Sequence, residues 1–283
     1  MNIAIISRTV ELAGDEVSAA AAAIQQQIVS HFSQIWHINA VVAAFDSYAP
    51  LGYAPIFIDS TISAPSGYTG YHTTNAGNPF AIVQYGPTWT LTASHEAMEM
   101  LVDPDGMKTI PGISPADGTS PVNFICEICD PCQDPAYSYK IDGFAVSDFC
   151  TPSYFDANAG GSQLSWTGAV KAPLAVLPGG AQLWVTPSNE VYQRINIGDN
   201  ISIGDLGIYQ PGPLGRREFA RTNRGSYPGL SDAGGSHQRH EYEVARGLAR
   251  HAGQKGIEVY EEARRSRLVQ AEESTMIDTS VRD

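Results

Sequence analysis

Residues 94–104 read SHEAMEMLVDP, and their reading decides what kind of chain this is: a helix built to hold an ion, or a surface helix with a suggestive spelling. His95-Glu96-Ala97-Met98-Glu99 falls one residue short of His-Glu-x-x-His, because a glutamate stands where the second histidine would be. On a helix, positions i and i+4 share a face, so His95 and Glu99 can reach one ion together. Glu96 points roughly 100° away, beside the ion rather than onto it. That is the place from which a glutamate takes a proton from an attacking water in metal-assisted hydrolysis. The flanking Leu91, Ala93, Ala97, Met98, Leu101 and Val102 are apolar, which predicts a half-buried helix over 90–102. Thr90 or Thr92 is the expected N-cap, and Pro104 follows the helix end. Acids buried with a histidine demand a charge partner, and no Lys or Arg lies nearby in sequence.

Two ligands are too few, since a catalytic zinc takes three from the protein and keeps one position open. Three residues compete for the third place. Asp103, at i+8, stays near the same face if the helix lasts another turn, and Asp105, at i+10, suits a chain that turns back toward the ion. Glu127, in Cys126-Glu127-Ile128-Cys129-Asp130, is a distant third ligand with Asp130 as its supporting carboxylate. Glu127 ranks first and Asp103 second; Asp103-Pro104-Asp105-Gly106 is a strong turn former with or without a metal. Tyr154, Tyr139 and His72 are the candidates for support of a developing oxyanion.

The same region holds all four cysteines. Cys126, Cys129 and Cys132 form C-x-x-C-x-x-C and Cys150 follows, a set that could hold a metal of its own or, as Cys132 to Cys150, close a disulfide. The other histidines, His31 and His37 among them, read as surface or loop residues, as does His72 apart from the oxyanion role.

Outward from this core the chain alternates strands and helices. Asn2–Ser7, Ala40–Phe45, Ala54–Asp59 and Pro79–Tyr85 read as strands and Asp15–Trp36 as one long helix with acids at its start. Gly67–Gly77 reads as a loop, and 103–120 as turns. Beyond lie two further strands, Gln182–Thr186 and Glu190–Ile197, in an otherwise irregular C-terminal half. The expected class is α/β with a mixed sheet, a long N-terminal helix and a metal-site helix. The expected division is a metal-binding domain over 1–211 and a linker with a C-terminal extension over 212–283, flexible or partner-binding.

Charge supports the division. The net charge is −13, yet up to Gly215 only Arg8, Lys108, Lys140, Lys171 and Arg194 are basic. Such an acidic body repels nucleic acid. No apolar run approaches the ~20 residues of a membrane span. No signal peptide is read at the start, so the expected location is the cytoplasm or a route other than Sec.

HEAMEMLVDP followed by EICDPC resembles the pattern His-Glu-x-x-Glu-x-x-x-Asp-Pro, then Glu-x-x-Asp-x-Cys, of the plant phosphate-induced (Exordium-like) proteins and of related microbial zincin-like proteins. The matching positions are His95, Glu96, Glu99, Asp103, Pro104, Glu127, Asp130 and Cys132, within a layout that covers about residues 1–200. The resemblance implies a zincin-type fold with a metal site. Additional cysteines and the unread signal peptide depart from it. The expectation is a hydrolase of peptide or protein substrates carrying Zn or another divalent cation, with His95 and Glu99 as ligands and Glu96 as base. Carboxylate ligands leave the ion less positive, so a slow or narrow enzyme is expected, and harder ions are tolerated. The alternative expectation is a non-catalytic scaffold of the same fold that binds a protein partner through its C-terminal tail.

Overall fold

The computed structural model describes residues 1–62, 64, 68–198, 200–211 and 215–223. The expected extension beyond Asn223 lies outside the described residues. The fold is mixed α/β, with a five-stranded mixed sheet, a second five-stranded antiparallel sheet and a small hairpin.

The first sheet is built from β1 (Asn2–Ser7), β2 (Val42–Ala44), β3 (Tyr53–Asp59), β4 (Gly70–Asn75) and β5 (Asn78–Gln84), in the order β2-β1-β3-β5-β4. The pairs β1–β2, β1–β3 and β3–β5 are parallel, and β4 is an antiparallel edge strand on β5. Apolar runs such as Ile3–Ile6 are buried on both faces, as parallel strands require. On one face α1 (Gly14–Gln27) packs with Val17, Ala20, Ala21 and Ile24 against Ile3, Ile5 and Ile56. The predicted long helix runs from Gly14 to Trp36, with a π-helical turn at Ile28–Phe32 before α2 (Ser33–Trp36).

On that same face sits α3 (Trp89–Val102), the helix that carries the opening motif. It is more deeply placed than the sequence suggested: every residue but Thr92 and His95 is buried. Its N-cap is Thr88, without a side-chain capping bond; the expected caps Thr90 and Thr92 lie inside the helix, and their hydroxyls donate to the Ala145 and Thr88 carbonyls. Sinking α3 this far carries Glu96 and Glu99 into the interior. Truncating Met98 beside them would cost about 2–5 kcal/mol, the usual loss for a buried methionine.

The stretch 67–77, expected as a loop, contains β4. Polar Thr and Asn hid it, since an edge strand needs only one paired side. Its register is decisive: Tyr71 lies opposite Ile82 and His72 opposite Ala81, so Tyr71 joins the far face while His72 joins the face covered by α3. Gly70 lets that helix approach, for a Cβ there would stand 2.4 Å from Thr92 Cγ2.

The half expected to be irregular holds the second sheet, β6 (Thr109–Ile113), β7 (Pro121–Ile125), β10 (Ala181–Val185), β11 (Glu190–Ile197) and β12 (Asn200–Ile208), in the order β12-β11-β10-β7-β6. Between them in sequence, β8 (Tyr139–Ile141) and β9 (Phe144–Val146) form the hairpin that packs on α3. Strand β7 runs directly into Cys126–Asp130. Within the segment expected to be a linker, Arg216–Asn223 forms a helix, α4, whose Ala220 joins Ile125, Leu183 and Leu206 in a second apolar cluster. No helix among the described residues is long and apolar enough to cross a membrane.

Candidate metal centre

Three elements converge below the C-terminal part of α3: edge strand β4 brings His72, the segment after β7 brings Glu127 to Asp130, and α4 brings Arg217 and Arg221. His95 Nε2 lies 3.1 Å from Glu99 Oε2 and 3.5 Å from Asp130 Oδ1. Glu99 Oε1 accepts the Cys129 backbone N–H at 3.0 Å, so that carboxylate is fixed at both oxygens. The Cys129 thiol donates weakly to the His95 carbonyl at 3.8 Å. Burial opposes a charge on His95, but Glu99, Asp130 and Glu96 outweigh it and hold the imidazole pKa well above its ordinary value. The same partnership, with the Cys129 N–H, overcomes burial at Glu99 and keeps its pKa low. This end of the cluster is the more open one, with the His95 and Asp130 side chains 13% and 18% exposed.

At the other end, His72 Nδ1 meets Glu96 Oε2 at 2.7 Å and stands 3.9 Å from Glu99 Oε2. Burial, then the nearby Arg217 and Arg221, push the His72 pKa well below the ordinary range, so this imidazole is neutral. Its Nε2 is buried and makes no hydrogen bond. Burial raises the Glu96 carboxyl to about 7, His95 pulling it down and Glu99 pushing it up.

Glu127 lands at the cluster, but its Oε1 accepts from Arg217 Nη1 at 3.0 Å, and the Glu127 and Glu99 side chains hydrogen-bond each other. Burial and the surrounding acids raise its pKa well above the usual range against the pull of Arg217. Asp103 is fully buried, yet its Oδ1 accepts the backbone N–H groups of Met107 and Lys108, both at 2.9 Å, and so organises the turn that ends α3. Asp105 Oδ1 helps from outside by accepting the Met107 N–H at 3.2 Å. Of the residues foreseen as third ligands, none faces His95; Asp130, foreseen as support, does.

Tyr154 is buried with its hydroxyl accepting from Gln182 Nε2, and the Tyr139 hydroxyl sits between Gln27 and His31, so among the three oxyanion candidates only His72 reaches the cluster. The four cysteines are buried thiols. Cys132 and Cys150, expected as a disulfide if they did not bind metal, are instead free thiols that hydrogen-bond each other. Cys126 instead faces the charges of Lys108, Asp103 and Glu127, so no group of three cysteines among the described residues points at one position.

The donors fit a cation. His95, Glu99 and Cys129 offer ligand atoms within 4.8 Å of one another, and so do His72, Glu96 and Glu99. Ligands ~2.0–2.1 Å from zinc at tetrahedral angles stand about 3.3 Å apart. The 3.1 and 3.5 Å separations around His95 Nε2 bracket that spacing. Sequence reasoning passed over Arg217 and Arg221, although RREFAR places two arginines at i and i+4 in a chain otherwise poor in bases. No family model, no curated protein and no solved structure matches this chain.

Proposed function

We propose that the chain is a zincin-like metal-dependent hydrolase of peptide bonds, in which His95 and Glu99 hold a divalent ion, Cys129 and Asp130 beside His95 are the neighbouring donors, and Glu96 is the general base. The observation that carries the reading is His95 Nε2 facing two carboxylate oxygens at ligand-like spacing, on the solvent-reachable side of a buried helix. Cys129 stands by as a further donor. A divalent cation held there, zinc by preference, would supply Lewis acidity to a carbonyl and to water.

The protein's own residues do the rest. Glu96, with a carboxyl raised to about 7, is poised to take a proton near neutral pH, where general bases work best. Its Oε2 is held by His72 Nδ1, which leaves Oε1 to receive the proton of the attacking water and to deliver it to the leaving amine nitrogen. Neutral His72 orients this carboxylate through Nδ1. Burial of α3 leaves Glu96 only 5% exposed and so limits the access of bulk water to the base. The match of His95, Glu96, Glu99, Glu127 and Asp130 to the phosphate-induced pattern supports the same reading.

The test is metal content and cleavage of unstructured protein by the full chain. Zinc bound in one equivalent by the wild type and by Glu96→Gln, lost in His95→Ala, with cleavage reduced roughly 10²–10⁴-fold in Glu96→Gln, is the expected pattern. Zinc retained in His95→Ala but lost in Cys129→Ser would move the metal to the cysteines and end the proposal.

A further inference from the structure

We infer that Arg217 is an internal counter-ion that competes with the divalent cation for Glu127, so that the seating of α4 sets the metal affinity of the site. This rests on the metal reading above and adds a residue and a control to it.

Glu127 lies one carboxyl group away from the proposed ligand Glu99, to which it hydrogen-bonds. A buried carboxylate must be paired with a cation or protonated. Here the partner is a guanidinium from a different element: Arg217 is itself buried, at 5% exposure, with Nη1 donating to Glu127 Oε1 at 3.0 Å and to the Asp103 carbonyl at 3.3 Å. That second acceptor is the carbonyl at the end of α3, so one side chain ties α4 both to the metal-site helix and to the site's spare carboxylate. Arg221, one turn later, donates through Nη2 to the His72 carbonyl at 2.9 Å and lies over the Tyr71 ring at 4.8 Å. The two arginines therefore bridge β4, the end of α3 and the segment after β7.

The bridge depends on close approach. Gly215, just before α4, sits where a Cβ would come within 2.6 Å of the Asp105 carbonyl oxygen and 3.3 Å of that of Gly106. The far side of α4 is held by Ala220 and by Phe219 against Tyr209. A guanidinium and a divalent cation answer the same need at Glu127, and both cannot have it. With α4 seated, Glu127 is held away from the ion; with Arg217 withdrawn, it becomes a further carboxylate donor beside Glu99. Apparent affinity then follows the fraction of molecules in which Glu127 is free.

Zinc alone, titrated into the full chain against a chromophoric chelator, tests this. Arg217→Leu should tighten zinc binding on the order of tenfold or more, the factor expected if Glu127 is paired in nine molecules of ten. Gly215→Ala keeps the guanidinium but forces the helix from its seat, and should tighten binding to a lesser degree. The gain should vanish in Arg217→Leu/Glu127→Gln and in Gly215→Ala/Glu127→Gln. Should Arg217→Leu not fold, the Gly215→Ala pair decides. Zinc bound by the wild type through His95 but no more tightly by either single variant would overturn the inference and leave the metal reading standing. A gain that survives loss of Glu127 would overturn it too. No zinc binding by any of these proteins would remove both.

Discussion

At one end of the acidic cluster, His95 faces Glu99 and Asp130 and is reachable from solvent; at the other, Glu96 and Glu127 are sealed behind His72, Arg217 and α4. Both ends bury carboxylates, and each disposes of the charge differently. The sealed end carries permanent guanidinium charges, Arg217 on Glu127 among them, yet burial still raises the Glu127 and Glu96 carboxyls above their usual range. The open end has only an imidazole, whose charge is conditional and which can exchange its proton for an ion. The difference favours the open end for the proposed metal, because its counter-charge is replaceable. It also separates two residues that sequence spacing alone could not, Asp130 at the open end and Glu127 at the closed one.

The sharpest way to break that comparison is to remove one carboxylate from each end. Asp130→Asn should weaken zinc binding by about 100-fold, since a neutral amide is a poor replacement for a carboxylate donor. Glu127→Gln, with Arg217 still in place, should change it only a few-fold. Isothermal titration of both variants checks this, and the reverse order would restore Glu127 as the third ligand.

How much of this was open to reading from the sequence follows from distance along the chain. His95, Glu96 and Glu99 share one helix, so the period of 3.6 residues placed them correctly. The parallel strands were visible as apolar runs, and Glu127 to Asp130 were visible as a cluster. The choice between Glu127 and Asp130 was not, because it depends on Arg217, which arrives from 90 residues further on. His72 reads as an oxyanion candidate on a loop, and its burial was missed for a related reason: its strand is polar, and what buries it is pairing with β5 and the approach of α3, both tertiary. In the irregular-looking second half β10 and β11 read as strands, but β6, β7 and β12 do not, because they pair antiparallel with mixed, partly exposed faces, a pattern weaker than a buried run. Helix α4 has little apolar surface of its own; its buried Arg217 is drawn in by Glu127, which lies elsewhere in the chain.

A smaller effect probes the hinge between the two ends, where His72 holds Glu96. His72→Leu removes the Nδ1 contact and should lower kcat about tenfold with KM unchanged, the scale of a lost positioning contact. His72→Asn keeps a short donor in place and should recover part of that loss, a rescue that a purely packing role would not give. Steady-state rates on any peptide the wild type cleaves would decide it.

The smallest effect concerns Asp103, which the sequence offered as a ligand and the structure uses to end α3. Burial lifts its carboxyl from 3.8 to about 6, although Arg217 and the N–H groups of Lys108 and Met107 pull the other way. Because the folded pKa is above the unfolded one, the ionised form is less welcome in the fold than in the unfolded chain. Asp103 therefore takes stability away as pH rises through the window from about 4 to about 6, and the penalty is complete above it. A shift of this size corresponds to about 3 kcal/mol at most. Asp103→Asn keeps an Oδ1 to accept from Met107 and Lys108 and replaces Oδ2, the buried oxygen that has no partner. The variant should match the wild type in urea unfolding at pH 4 and exceed it by about 1–2 kcal/mol at pH 7.5, with zinc affinity unchanged. Equal stability at both pH values would mean that the carboxylate is stabilised by a cation after all, and the divalent ion proposed beside Glu99 would be the first to test.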